Sequence, residues 1–313
     1  MKQGILITAF AILLGINLLP SCDRVTNPYP PQNAFALDST LYPGTWSDYV
    51  ANEWPTFANN TNTNRNILIE DFTGHKCIFC PAAADLAHQL HSANPDRIFV
   101  TSIHSSIDGI GDFQSVDAEY TVNFTNPDGL AIGTWFGTHD PGFVGNPRGP
   151  ISRVTNGGVI FQSPAQWSSL TSSLLAENAL KVNMQSALNY YPSTKGAFLH
   201  VEVEKLDQSI TNELAIVASI VEDSLVGDQK MSDNSHNHNY IHRDIHRGNL
   251  NHTPFGRPLA SSDLLNGKYY VNYSFVVPNQ LDGNYNASNM HVVIYVYDMT
   301  TLEIYQVITQ EIN

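Results

Sequence analysis

Ile67-Leu68-Ile69-Glu70-Asp71-Phe72-Thr73-Gly74-His75-Lys76-Cys77-Ile78-Phe79-Cys80-Pro81 decides how this chain folds. Residues 68–72 are a mostly apolar run of strand length. Thr73-Gly74 breaks it. Residues 81–91 then read as a helix, with Leu86 and Leu90 four apart on one face. A thiol at a helix N-terminus sits in the positive end of the helix dipole, which favours the thiolate and lowers the pKa. Two residues between the thiols let one helical turn bring the sulfurs together. Cys77 is expected to be the exposed attacking thiol and Cys80 to resolve the mixed disulfide. Lys76 adds positive charge beside Cys77.

Three chemistries compete for this C-x-x-C. A structural zinc site needs about four ligands, often a second C-x-x-C or a His pair at fixed spacing. The chain has only three cysteines. A structural disulfide is the plain alternative. A redox-active pair fits best, because strand, turn and helix fall where exchange needs them.

The block resembles the thioredoxin superfamily. Asp71-Phe72 is similar to the Asp-Phe pair that ends the central strand of thioredoxins. The resemblance implies that Asp71 is buried behind the disulfide and takes up a proton during exchange, with Glu70 as its rival; otherwise Asp71 accepts turn hydrogen bonds. Lys76 stands where thioredoxins carry Trp, and Ile78-Phe79 where they carry Gly-Pro. The resemblance also implies a cis-proline facing the disulfide, and cis peptide bonds are essentially confined to X-Pro. Pro147, in Gly145-Asn146-Pro147-Arg148-Gly149-Pro150, is the first candidate and Pro150 the second.

A narrower resemblance covers the chain from about residue 66 onward. Residues 70–77 with Cys80-Pro81 resemble the signature of the twenty-eight-kilodalton outer membrane protein (Omp) family. These are lipoproteins of Bacteroides-type bacteria with a thioredoxin-like domain and a β-rich C-terminal part. Gly145-Asn146-Pro147 with Ile151-Ser152-Arg153 is similar to that family's Gly-x-Pro…Asn-Arg segment, with Ser152 in place of Asn. Asn239-Tyr240-Ile241-His242-Arg243 resembles its His- and Arg-bearing segment. The family implies a cell-envelope address at the outer membrane.

The 313 residues allow one to three domains. The net charge of −14 excludes a nucleic-acid partner, since nothing basic would neutralise phosphates. It equally excludes charge-led binding to an anionic membrane. Residues 1–22 read as a targeting segment, with Lys2 ahead of an apolar stretch too short to span a bilayer comfortably. Leu19-Pro20-Ser21-Cys22 resembles the bacterial lipobox, which implies that Cys22 carries acyl chains and anchors the protein to a membrane. Cys77 and Cys80 then remain as the only pair, in a compartment that permits disulfides.

Residues 23–65 read as a Pro-bearing tether and a lead-in whose Trp46, Tyr49, Trp54 and Phe57 pack on the body. Residues 66–178 form the α/β thioredoxin-like domain. Within it, residues 97–104 are a second strand, parallel to the first. Residues 105–145 are a glycine- and turn-rich insertion whose Trp135 and Phe136 shape a groove near the disulfide. Residues 151–154 and 158–161 close a hairpin about Asn156-Gly157. Ser163-Pro164 opens a helix that buries Leu170, Leu174 and Leu175. Residues 179–313 form an all-β, immunoglobulin-like sandwich, with strands in 198–203, 214–221, 269–277 and 290–297.

Five histidines fall within residues 236–252. No carboxylate or thiolate completes a recognised metal spacing there, so this stretch reads as a polar loop between domains, without a metal. No cofactor is implied. The expected activity is thiol–disulfide exchange with the thiols or disulfides of envelope proteins. The rival is a non-catalytic scaffold that binds a protein or glycan.

Overall fold

The computed structural model describes residues 36–250, 253–278 and 285–312. The targeting segment, Cys22 and His252 lie outside the described residues. The lead-in holds the short helical turn α1 (Trp46–Asp48). Then come β1 (Ile67–Thr73), α2 (Cys80–Ala93), β2 (Ile98–His104), α3 (Pro127–His139) and α4 (Pro164–Glu177). Strands follow: β3 (Val182–Tyr191), β4 (Gly196–Lys205), β5 (Leu214–Glu222), β6 (Leu225–Lys230), β7 (His236–His242), β8 (Ile245–Asn249) and β9 (Arg257–Pro258). The last are β10 (Leu264–Leu265), β11 (Lys268–Val276), β12 (Met290–Asp298) and β13 (Ile304–Glu311). No helix among the described residues is long and apolar enough to cross a membrane.

β1 and β2 pair in parallel, from Ile67 opposite Ile98 to Thr73 opposite His104, and α2 connects them. Successive β1 side chains face opposite ways. Ile67 and Ile69 pack with Ala83 and Ala87 of α2 and Trp167 and Leu174 of α4. Leu68 joins Val217, Val293, Tyr295 and Val307 on the other side. Both faces are covered, so every residue of β1 is buried and the run shows no polar alternation.

The chain is mostly β, and its largest sheet is mixed and curled. Seven strands run in the order β1-β2-β8-β5-β12-β13, with β9 beside β5. β13 returns close to β1. Arg65 donates to the Ile304 carbonyl at 2.8 Å, Asn66 to the Val307 carbonyl at 2.9 Å, and the Ile304 N–H to the Ser152 carbonyl at 2.8 Å. The segments on either side of residue 178 therefore share one sheet. A four-stranded sheet, β10-β11-β4-β3, packs on it through Leu199, Val201 and Val271 against Ile216, Ile294 and Val296. Two sheets thus face each other as expected, but the larger runs on into the β1–β2 unit instead of closing within 179–313. On the outer face of β4, Trp46, Tyr49 and Trp54 gather round Phe198 and His200, and the Tyr49 hydroxyl lies 2.6 Å from His200 Nε2.

Two local expectations are corrected. The insertion at 105–145 contains the helix α3, opened by the Asn126 side chain accepting from the Gly129 N–H and by Pro127. Its glycines serve close approach. A Cβ on Gly133 would lie 2.0 Å from Ser105 Oγ, and one on Gly137 2.0 Å from the Ile107 carbonyl oxygen. Phe136 is core, packed on Phe161 and Phe255. The histidine-bearing stretch is not a loop: it forms β7, hairpin partner of β6, and β8 inside the main sheet. At 156–159 the expected turn forms, with Gly157 and Gly158 both at positive φ.

Candidate functional site

Gly74 ends the β1 run, and a turn closes with the Cys77 N–H donating to the Gly74 carbonyl at 3.1 Å. The helix starts at Cys80, followed by Pro81, so the pair straddles a helix N-terminus as its spacing predicts. Cys77 and Cys80 are joined in a disulfide with Cα atoms 5.4 Å apart.

The expectation of an exposed Cys77 is corrected. Each cysteine is only 1% exposed, while Phe79 between them is 66% exposed. The cover is the β6–β7 hairpin from far along the chain. Its Lys230 N–H donates to the His75 carbonyl at 2.8 Å, and Gln229 Nε2 donates to the Cys77 carbonyl at 3.1 Å. Lys76 does not present a free charge to Cys77. Its ammonium pairs with Asp117 at 2.6 Å and donates to Ser115. The hydrogen bond from Lys76 to Asp117 holds the Asp117 carboxyl down at about 2.

The two adjacent acids of β1 point to opposite faces and have different fates. Glu70 accepts two bonds from the Arg153 guanidinium, from Nε at 2.7 Å and from NH2 at 2.6 Å. Arg153 also donates to the Tyr295 hydroxyl and lies over the Phe136, Tyr295 and Tyr297 rings. This buried, bidentate pair ties β1 to β12 inside the curl. Asp71 is fully buried, neither of its carboxyl oxygens has a hydrogen-bond partner in the protein, and burial pushes its pKa up to about 7. It lines a cavity of about 20 Å³ with Cys80, Pro81, His104, Gln229 and His242, enough for one water molecule. Glu70 is thus committed to Arg153, and Asp71 is the free acid on the cysteine side.

The Asn146–Pro147 peptide is cis. After it the chain runs antiparallel along the outer edge of β1: the Phe72 N–H donates to Arg148 at 2.9 Å and the Ser152 N–H to Leu68 at 2.7 Å. Pro150 belongs to this extended run, and its carbonyl accepts from the Glu70 N–H. Gln114 Nε2 joins the end of β1 to this loop, donating to the Thr73 carbonyl at 2.7 Å and to Asn146 Oδ1 at 3.1 Å.

Behind the disulfide lies a ring cluster that sequence reasoning missed. His75 packs near His104 and Tyr120, His104 near Phe124 and His242, and Tyr120 stacks on His236 of the hairpin at 4.4 Å. Burial lowers the pKa of His75 and His104, and that of His242 to about 4, so these imidazoles are neutral at pH 7. His75 within the motif was the one local signal; nothing local marks Gln229 or Lys230, some 150 residues from the turn they cover.

No protein-family model and no curated protein sequence matches the chain. Among solved structures it is similar to HBP35 of Porphyromonas gingivalis, with 15% identity and a TM-score of 0.60, over 81% of this chain and 77% of that one. It is also similar to a domain of the outer membrane lipoprotein Omp28 from Porphyromonas gingivalis, with 21% identity and a TM-score of 0.30, over 43% of this chain and 90% of that domain. What the first likeness shows is a shared fold.

Proposed function

We propose that the chain is a lipid-anchored protein of the cell envelope whose Cys77–Cys80 pair exchanges disulfides with other envelope proteins when the β6–β7 hairpin moves aside. The observation that carries this reading is Asp71. A buried carboxyl without a partner is costly and does no packing work that an apolar side chain would not do better. Beside Cys80, with a pKa of about 7, it has a chemical use. A substrate thiolate attacks Cys77 Sγ, the Cys77–Cys80 bond breaks, and the electron pair leaves on Cys80 Sγ. The Asp71 carboxyl gives that sulfur its proton. A second substrate thiolate then attacks the substrate sulfur of the mixed disulfide and releases the Cys77 thiolate. The substrate leaves oxidised and the protein reduced; the reverse sequence uses the same atoms.

A thioredoxin-like reading of residues 66–178 is supported by the parallel β1–α2–β2 unit, the antiparallel run after a cis proline and the buried acid. The envelope address, anchorage through Cys22 and kinship with the Omp family rest on the lipobox and the 70–81 block. Burial of both cysteines favours a second reading, a scaffold whose disulfide only braces the turn. A groove of about 480 Å³ lined by Trp54, Phe57, His200 and Tyr270 would then be the place for a protein or glycan.

The test is trapping. The full chain with Cys80→Ser, its Cys77 a free thiol, is incubated with disulfide-bearing native and scrambled envelope proteins, with and without Gln229→Ala to loosen the hairpin. A mixed disulfide through Cys77 is expected, and Gln229→Ala should increase it about fivefold, the equivalent of one lost hydrogen bond of ~1 kcal/mol. No adduct in either form would leave the scaffold reading standing.

A further inference from the structure

We propose that the hairpin covering the disulfide carries a binding site for a borderline divalent cation of the Zn²⁺ class, formed by Asp228, His236 and His238. This goes beyond disulfide exchange and stands whether or not the cysteines react. The sequence offers only a His-x-His on a polar stretch. The fold supplies the missing carboxylate from the neighbouring strand.

The register of β6 and β7 slips between Gly227 and Gln229. Gly227 lies opposite Tyr240, but Gln229 lies opposite Asn237, so Asp228 faces two residues, His238 and Asn239. Such irregularities re-aim side chains. Here the result is convergence: Asp228 Oδ1 lies 2.9 Å from His236 Nε2 and 2.9 Å from His238 Nδ1. Among the described residues this is the one group of three His, Cys or carboxylate side chains whose donor atoms all lie within 4.8 Å of one another. Tetrahedral zinc with bonds of about 2.0–2.2 Å holds its ligand atoms about 3.3 Å apart. The two Asp228–His contacts need to open by only a few tenths of an ångström to admit the ion in place of the protons they share, and the two imidazole donors already lie within 4.8 Å of each other.

The donor set fits this class of ion. Two imidazoles and one carboxylate suit zinc and its neighbours, whereas calcium and magnesium take oxygen. His238 is 69% exposed at its side chain, which leaves an open side for a water ligand and an entry path. His236 is less free. Tyr120 stacks on it at 4.4 Å and nearly parallel, so the ring that presents Nε2 is already oriented. Such support around a ligand raises affinity by limiting the motion lost on binding. Because the same hairpin bonds the His75 and Cys77 carbonyls, a bound ion would cross-link β6 to β7 within the cover itself.

The experiment titrates Zn²⁺ into the chelator-treated full chain in detergent, disulfide intact, by calorimetry. Amide hydrogen exchange is followed with and without the ion. One equivalent is expected to bind, with exchange slowed across residues 225–242. Asp228→Asn and His236→Gln should each weaken binding on the order of tenfold or more. His238→Gln changes an exposed side chain and should do the same without disturbing the hairpin. His88→Gln, exposed on α2, should leave binding unchanged. Absence of stoichiometric binding would overturn the proposal. So would affinity unchanged in His238→Gln and Asp228→Asn, or protection that appears elsewhere than the hairpin.

Discussion

Replacing Asp71 by Asn should stabilise the protein at alkaline pH, by an amount that can be worked out in advance. Burial raises the carboxyl from 3.8 to about 7 in the folded chain. The folded state therefore holds this proton more tightly than the unfolded one. Below pH 3.8 both states are protonated and the acid carries no ionisation penalty. As pH rises towards 7 the unfolded chain ionises first and the folded state loses ground, levelling off above pH 7. The gap is about three pH units at about 1.4 kcal/mol each, so ionisation costs the fold about 4 kcal/mol at pH 8. Asn has the same shape and no charge, and its unpaired amide costs the same at either pH. Guanidinium unfolding of the two oxidised proteins at pH 4 and pH 8 measures the difference. The stability gap should widen by about 4 kcal/mol in favour of Asp71→Asn. A gap that does not change with pH would mean that Asp71 is solvated or paired, and the argument for it as the proton donor to Cys80 would fall.

Arg153→Met strands the Glu70 carboxylate in the core and should cost about 3–5 kcal/mol in denaturant unfolding, while adding Glu70→Gln should restore much of it; a cost under 1 kcal/mol would show that the pair does not brace β1 against β12. The neutral histidines make the cover acid-sensitive. Burial holds His75 and His104 below 6.5 and His242 at about 4, so the stability they contribute is complete above pH 6.5 and is lost as pH falls towards 4. Hydrogen-exchange protection of residues 225–242, corrected for intrinsic rates, should drop between pH 7 and pH 5, and His242→Phe should flatten that drop. Flat protection in the parent protein would count against the ring cluster as the hairpin's seat.

The features legible in the sequence were those with local causes. β1, the break at Thr73-Gly74 and the helix from Cys80 follow from a short apolar run, a turn dipeptide and a proline. The turn at Asn156-Gly157 and the helix after Ser163-Pro164 are equally local, although Ser163 makes no side-chain cap bond. α3 was hidden because glycine reads as a breaker, yet at Gly133 and Gly137 the loss of helix propensity is offset by close packing. β7 was hidden because its side chains are mostly polar and partly exposed on both faces, which leaves no alternation to detect. Whether Glu70 or Asp71 stays free depends on Arg153, 83 residues away, and the burial of Cys77 on Gln229, 152 residues away. Such pairings join segments far apart in the chain, one through the curled main sheet and one through a separate two-stranded hairpin, and no window of sequence encodes them.

The distance between Cys77 and its cover also sets an order of events. A chain made from its N-terminus presents both thiols long before β6 and β7 exist. The cysteines, three residues apart, can meet as soon as the turn forms. The hairpin arrives some 150 residues later, and the curl cannot close until β13, later still, reaches β1. The pair is therefore uncovered in a newborn chain, whereas in the finished one any exchange waits on the hairpin moving aside. Whatever redox state the pair holds when β13 docks is the state it keeps until the hairpin first opens.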